Sequence, residues 1–443
     1  CNGRGLSTVP QYLPTSITSL RLARNAITSL SYSDLLGYKS LTHLITTINQ
    51  ISIVQPGAFS NLIHLEVLRL NSNPLTSIQS GTFSNLPKLT YLYLDNNHIS
   101  NIQSGAVSNL PSLYFLSLAA NRLTDIPPAA FSVVPRLDSL YLNRNRLDNI
   151  KPDSFSNLDA GVDAVVDAAV DALQSLSMSS KGITNIDSVT FSKIPTLRRL
   201  DLDSNQLCVI QPGTFSSLPL LKYLELAHNK ISNIMPGAFS NLHLLEELKL
   251  MYNHITEIQP GTFSDLPMLK DLYLQHNQMT SIPPGTFSNL PKLSTLKLHN
   301  NPWQCDCRMV AFRSRITESH LFENEIICEE PGNFRGQGLQ QIDPQKLSLI
   351  CVKPKVVVQI GKDSTPLLGK ALHIICKASG FPEPDITVKL PSGRKATAVP
   401  DGRITVNKNG SIIVRDLAKT DTGLYVCMAS NHVGSSFATL FVE

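Results

Sequence analysis

The chain has 443 residues, of which 42% are hydrophobic and 16% charged, with eight Cys, one Trp and a formal net charge of +4. At about 100 to 200 residues per domain this length predicts two to four domains, and the composition excludes disordered, collagen-like or membrane-spanning chains, since no apolar run reaches about 18 residues. The charge is uneven, with 12 Lys+Arg against 7 Asp+Glu from Lys353 onward and 26 against 27 before it, and it forms no nucleic-acid footprint.

The chain opens at Cys1 with neither Met nor signal peptide, which reads as a trimmed, mature piece. Soon afterwards a repeat begins. Leu65 to Ile78 spell the template L-x-x-L-x-L-x-x-N-x-L-x-x-I, followed by G-x-F-S-N-L-P, and Asn returns at 25, 49, 73, 97, 121 and 145, then at 205, 229, 253, 277 and 301. Every step is 24 residues except the one from Asn145 to Asn205, which is 60. Twelve coils fit if one carries twelve extra residues, with Lys181 standing where an Asn is expected. A period of this size predicts a solenoid, each L-x-L a short strand stacked in parallel about 4.8 Å from the next.

The pattern resembles the leucine-rich repeat family over residues 1 to about 352. The resemblance implies an α/β solenoid shaped as a horseshoe, mainly parallel β on its concave face, with repeats over 17–300 after a truncated N-terminal cap at 1–18. Both Leu of L-x-L, as in Leu92 and Leu94, are expected to point inward, and the amide of an Asn such as Asn97 can satisfy backbone groups where the chain leaves the strand. A column of Phe59, Phe83, Phe131, Phe155, Phe191, Phe215, Phe239, Phe263 and Phe287 is read as packing on the convex side. Residues 159–172 hold the extra length as a repeated tetrad, with Val162, Val166 and Val170 at helical spacing beside Asp163 and Asp167. A short amphipathic helix in a tolerated loop expansion is expected there.

A solenoid needs caps. Trp303, Cys305, Cys307, Cys328 and Cys351 resemble the C-terminal cysteine-rich cap of extracellular leucine-rich repeat proteins, here residues 301–352, with Trp303 expected to plug the last coil. That resemblance implies Cys305–Cys328 and Cys307–Cys351, although other pairings remain open from sequence alone. The first residues, Cys1 to Pro10, resemble the closing half of an N-terminal cap, which leaves Cys1 without its partner.

From about Lys353 the period gives way to short alternating strands. Cys376 and the run Asp421-x-Gly423-x-Tyr425-x-Cys427 resemble an intermediate-set immunoglobulin sandwich over 353–443, with a Cys376–Cys427 disulfide and Tyr425 as the tyrosine corner. The core Trp usual on the third strand is replaced by Val388, so the centre must repack. Asn409 heads the chain's one N-glycosylation sequon, in a predicted hairpin turn that Asn-Gly would favour in any case. Cys208 is left over and is read as a free thiol alongside Cys1, in a protein of an oxidising, extracellular setting.

No nucleophile elbow, zinc signature or phosphate loop is present, so no enzyme, cofactor or metal is expected. His276 and His299 lie on neighbouring coils, but no acid completes a ligand set at readable spacing. Six Tyr fall on the four strand positions per coil that face outward: Tyr91, Tyr93, Tyr141, Tyr223, Tyr252 and Tyr273, with Phe115 among the first three. Interfaces use Tyr for stiff contact area with a polar tip, whereas cross-strand laddering is the plainer explanation. Asp201, Asp203, Glu225, Glu247 and Asp271 run beside them as an acidic stretch suited to a basic partner.

Taken whole, the sequence resembles the leucine-rich repeat plus immunoglobulin family of cell-surface and secreted proteins, and its coils are similar to those of variable lymphocyte receptors. The resemblance implies a receptor ectodomain that binds a protein or microbial-surface ligand through the concave face, in immune recognition or adhesion. A second copy of the chain is a further candidate partner, nucleic acid is not, and any membrane attachment would lie outside this chain. The alternatives are a matrix or adhesion spacer, or targeting modules of a larger peroxidasin-like enzyme.

Overall fold

The computed structural model describes residues 1–156, 158, 173–316, 320–322, 325–362, 364–396, 402–407 and 410–443. The helix expected over 159–172 and the sequon Asn409 therefore lie outside the described residues. Two compact units result, Cys1–Pro302 with His320–Ile326, and Trp303–Ser319 with Ile327–Glu443, so the stretch 301–352 is divided between them.

In the first unit every L-x-x-L-x-L makes a three-residue strand, and twelve of them, from Ser19–Arg21 to Thr295–Lys297, form one parallel sheet in chain order. We number the coils by these strands. The middle residue of each strand, such as Leu92 or Leu248, is fully buried, and its two neighbours face the open side. Register is set by the 24-residue period: Tyr91, Phe115 and Ser139 pair in one row, and Tyr93, Ser117 and Tyr141 in the next. The extra residues of coil seven leave this register intact, for Ser139–Tyr141 pairs directly with Ser175–Ser177.

The Asn column holds the coils together by backbone chemistry. Asn97 Nδ2 donates to Leu94 O at 3.0 Å and, across the coil boundary, to Leu70 O at 3.1 Å, while Oδ1 accepts from Leu75 N at 3.2 Å. Asn253 does the same on coil ten, with Leu250 O, Leu226 O and Ile231 N each at 3.0 Å. The residue before each Asn turns through the left-handed region, as at Asn96 (φ 53) and Tyr252 (φ 56), which strips the strand end of regular partners that the amide then supplies. Coil seven departs from this. Lys181 is exposed with φ 68, and the buried Ser180 hydroxyl reaches Leu147 O at 3.1 Å and Asn205 Oδ1 at 3.0 Å instead.

Opposite the sheet, Phe191, Phe215, Phe239, Phe263 and Phe287 stack at 6.1 to 6.4 Å. The G-x-F turn before Phe215, Phe239, Phe263 and Phe287 places a glycine such as Gly261 at φ +83, where a side chain would be strained, whereas Val189 stands at that position before Phe191.

In the second unit, disulfides join Cys305 to Cys328 and Cys307 to Cys351. Trp303 is buried, and the Arg313 guanidinium ties the segment down by donating to Ile342 O at 3.1 Å and Gln340 O at 2.6 Å. A sandwich follows. Val352–Ile360, Leu372–Phe381, Ile412–Val414 and Ile404–Val406 form one antiparallel sheet, and Asp385–Lys389, Gly423–Asn431 and Gly434–Val442 the other. The Cys376–Cys427 disulfide links the two sheets. Val388 is buried in the core cluster with Cys376, Cys427, Ile374 and Ile412, so aliphatic packing takes the place of the absent Trp. Tyr425 is buried, its hydroxyl donating to Asp421 O at 3.0 Å, and Asp421 is held in turn by Arg403 at 2.7 Å.

Candidate functional site

The open face of the long sheet carries two different surfaces. On coils four to six the aromatic residues form a continuous run: Phe115 lies 6.3 Å from Tyr91, 5.0 Å from Tyr93 and 5.3 Å from Tyr141, ring centre to ring centre. Phe115 is not in the row of Tyr93 and Tyr141. That row holds Ser117 between them, and its small side chain leaves space into which the Phe115 ring packs. Tyr114 adds an edge contact to Tyr91 at 6.5 Å, and the Arg69 guanidinium lies 4.4 Å over Tyr93.

Beside these rings is a cleft of about 440 Å³ lined by Arg69, Asp95, Ser117, Ala119, Ala120 and Arg144 among others. Burial pushes the Asp95 carboxyl above its ordinary value, against the opposing pull of its own backbone amide, the Ser117 hydroxyl and the Arg69 charge. Arg69 and Arg144 fall outside the aromatic and acidic types read from the sequence, and Asp95 lies outside the acidic stretch of coils eight to eleven. Their signal is register, since Arg69 sits one 24-residue step before Tyr93 and in the same row.

On coils eight to eleven the expected acidic stretch is mostly answered within the chain. Glu225 pairs with Arg199 and, at 3.5 Å, with Lys249, which also holds Glu247 at 3.0 Å. Behind them Glu246 bridges Lys222 at 3.1 Å and Lys270 at 2.6 Å, and these contacts hold its carboxyl below the ordinary range. Asp201 accepts from the Ser177 hydroxyl at 2.7 Å and from Asp203 N at 2.9 Å, and Asp203 accepts from Ser204 at 2.7 Å. Tyr223 and Tyr273 stand apart from the aromatic run; Arg199 lies 5.8 Å from the Tyr223 ring, and burial raises the Tyr273 hydroxyl above its ordinary value. Tyr252 belongs to a different row, sandwiched between His228 at 4.5 Å and His276 at 4.2 Å.

His276 and His299 do approach one another, at 5.8 Å, but in an edge-on arrangement. Glu325, which no spacing pointed to, reaches His299 Nδ1 at 3.2 Å, Lys297 at 2.8 Å and Leu298 N at 2.8 Å. Burial opposes its ionisation, yet these three donors together hold its carboxyl below the ordinary range. Among the described residues the one trio with metal-ligand proximity is Asp306, Cys307 and Cys351, whose two sulfurs are already bonded to each other. Cys1 and Cys208 are free and exposed.

A repeat solenoid that displays one row-ordered sheet face, followed by a disulfide-bonded sandwich, is a modular architecture whose disulfides suit an oxidising setting. The Leucine rich repeat family pattern matches residues 15–160 and 171–302 in overlapping segments, and the Immunoglobulin domain pattern matches 353–431. The chain belongs to the leucine-rich repeat family, in its subgroup that also carries an immunoglobulin domain.

Human leucine-rich repeat and immunoglobulin-like domain-containing nogo receptor-interacting protein 3 is 31% identical over 147 residues, 32% of this chain and 25% of its own length. Human peroxidasin homolog is 31% identical over 138 residues, 31% of this chain and 9% of its own. The match thus spans a quarter or less of either relative. A chain from the octameric complex of Latrophilin 3, Unc5D and FLRT2 (LRR) superposes with a TM-score of 0.57 at 26% identity, over 77% of this chain and 93% of that one. The family and the three disulfides fit an extracellular or secreted protein, and among the described residues no helix is long and apolar enough to cross a membrane.

Proposed function

We propose that this chain is an extracellular recognition module that binds a protein ligand through the open face of its leucine-rich repeat sheet, with Tyr91, Tyr93, Phe115 and Tyr141 as the energetic centre. The observation that carries this reading is the unbroken contact of those rings, at 5.0 to 6.3 Å, on a face where the flanking Leu are buried independently of them. Clustered aromatics beside an Arg are the composition of interface hot spots. The relatives support the class: one is named as a receptor-interacting protein and one chain was solved inside a multiprotein complex.

Panels of cell-surface ectodomains would identify the ligand, and paired variants would locate the contact. Tyr93→Ala with Tyr141→Ala should remove binding, while Phe437→Ala with Phe441→Ala, on two exposed rings of the immunoglobulin sheet, should leave it. The reverse result would move recognition to the sandwich. A second reading, a targeting module of a larger enzyme, is supported by the peroxidasin match, and a haem-peroxidase domain found on the same polypeptide would favour it.

A further inference from the structure

The cleft on coils three to six deepens the proposed function by indicating which chemistry the ligand brings, and it rests on that reading. Coil five presents Ser117, Ala119 and Ala120, whereas coil four presents Tyr93, Asp95 and Asn96 and coil six Tyr141, Asn143 and Arg144. The missing side-chain volume on the middle coil makes the depression. Its volume of about 440 Å³ is within the range of about 300 to 1,000 Å³ typical of sites that enclose a small group. Two or three side chains of a ligand segment fit a volume of this size.

Charge decides what those side chains are. Asp95 is already engaged by the Ser117 hydroxyl and lies beside the Arg69 charge, so it is answered within the chain. Arg69 stacks on Tyr93 with its guanidinium edge left for further donation. Arg144 is exposed, and no ion pair or side-chain hydrogen bond engages it among the described residues. The contrast with coils eight to eleven is internal to the same face: there Glu225, Glu246 and Glu247 hold Arg199, Lys222, Lys249 and Lys270, so those cations are spent.

We propose that this cleft receives an acidic segment of the protein ligand, one Asp or Glu carboxylate held by Arg144 and a second by Arg69, with an apolar side chain between them laid on Phe115 and Tyr141. Arg offers a carboxylate two parallel N–H donors, and the adjoining rings exclude water from one side of that pair.

Three fluorescein-labelled peptides of one scaffold, with Glu-Phe-Glu, Gln-Phe-Gln or Lys-Phe-Lys at the centre, test this by anisotropy at low ionic strength. The Glu peptide should bind about tenfold tighter than the Gln peptide, and the Lys peptide weakest. Arg144→Glu should erase that preference or invert it, with the melting temperature unchanged because the side chain is exposed. Lys355→Glu, an equal change of net charge on the exposed sandwich surface, should leave the order intact. Equal affinities, a preference for the Lys peptide, the same loss with Lys355→Glu, or no binding of any peptide up to about 1 mM would each overturn the proposal. If the peptides fail while the Tyr93 and Tyr141 alanine pair still abolishes partner binding, the acidic occupant falls and the recognition face stands.

Discussion

Coils four to six and coils eight to eleven share one backbone and one register, yet their open faces are built on opposite principles. In the first region rings touch rings and charged groups are left over; in the second, Glu225, Glu246 and Glu247 are matched by Arg199, Lys222, Lys249 and Lys270. A repeat scaffold supplies positions, not chemistry. Because the buried Leu and Asn carry the fold, the outward positions are free to be either an adhesive surface or a self-satisfied one.

The comparison breaks first if the two scaffolds are not equivalent. Asn97→Ala and Asn253→Ala each remove three hydrogen bonds from buried backbone groups, so each should lower stability by about 3 kcal/mol, equally on the two sides. Denaturant unfolding checks this, and a clear inequality would mean that the halves differ below the surface. The next effect is on binding. The Tyr93→Ala and Tyr141→Ala pair should weaken ligand affinity by about 2 kcal/mol or more, whereas Glu225→Ala with Lys249→Ala, on partly exposed ion pairs, should cost about 0 to 1 kcal/mol. Comparable losses in titration calorimetry would erase the distinction.

Acid should separate the regions more gently. Glu325 and Glu246 sit below their ordinary value of 4.5 in the folded chain, so their stabilisation is present above that value and is lost as pH falls through the lower folded one. Asp95 is shifted the other way from 3.8; its contribution is present below that value and lost as pH rises through the raised folded one. Acidification from about pH 5 to pH 3 should therefore lower hydrogen-exchange protection around Glu247–Lys249 and Thr295–Lys297 relative to Tyr91–Tyr93. Uniform loss would count against the contrast. The smallest effect concerns the junction. Deleting residues 161–172 should leave the melting temperature unchanged, because the strands on either side already pair in register. A large drop would show the two halves to be coupled through that segment.

Much of the architecture was legible because a stacked repeat converts sequence spacing directly into space. A residue 24 positions on lies one strand over in the same row, so the Leu, Asn and Phe columns, and the neighbourhood of Tyr91, Tyr93, Phe115 and Tyr141, follow from counting. The sandwich was legible for a different reason, since two Cys and a corner Tyr are demanded by inter-sheet geometry. What counting misses is anything that depends on where a side chain turns after leaving its row. Phe115 bridges Tyr93 and Tyr141 because Ser117 is small, and Ser180 takes over from the absent Asn because Lys181 turns outward.

By itself the sequence determined the repeat and its register, which rest on backbone periodicity and on residues that must be buried, while the sandwich and the cysteine-rich cap followed from the family motifs they resemble and the cap's pairing waited for the structure. Only the tertiary structure decided which charges are spent and which are free. Ion pairs such as Arg199 with Glu225 or Lys297 with Glu325 cross rows and coils at 26 and 28 residues, a separation that no period predicts. The cleft was decided there too, since it forms where coil five carries only small side chains at Ser117, Ala119 and Ala120 between two bulkier neighbours, and it exists only when all three are stacked.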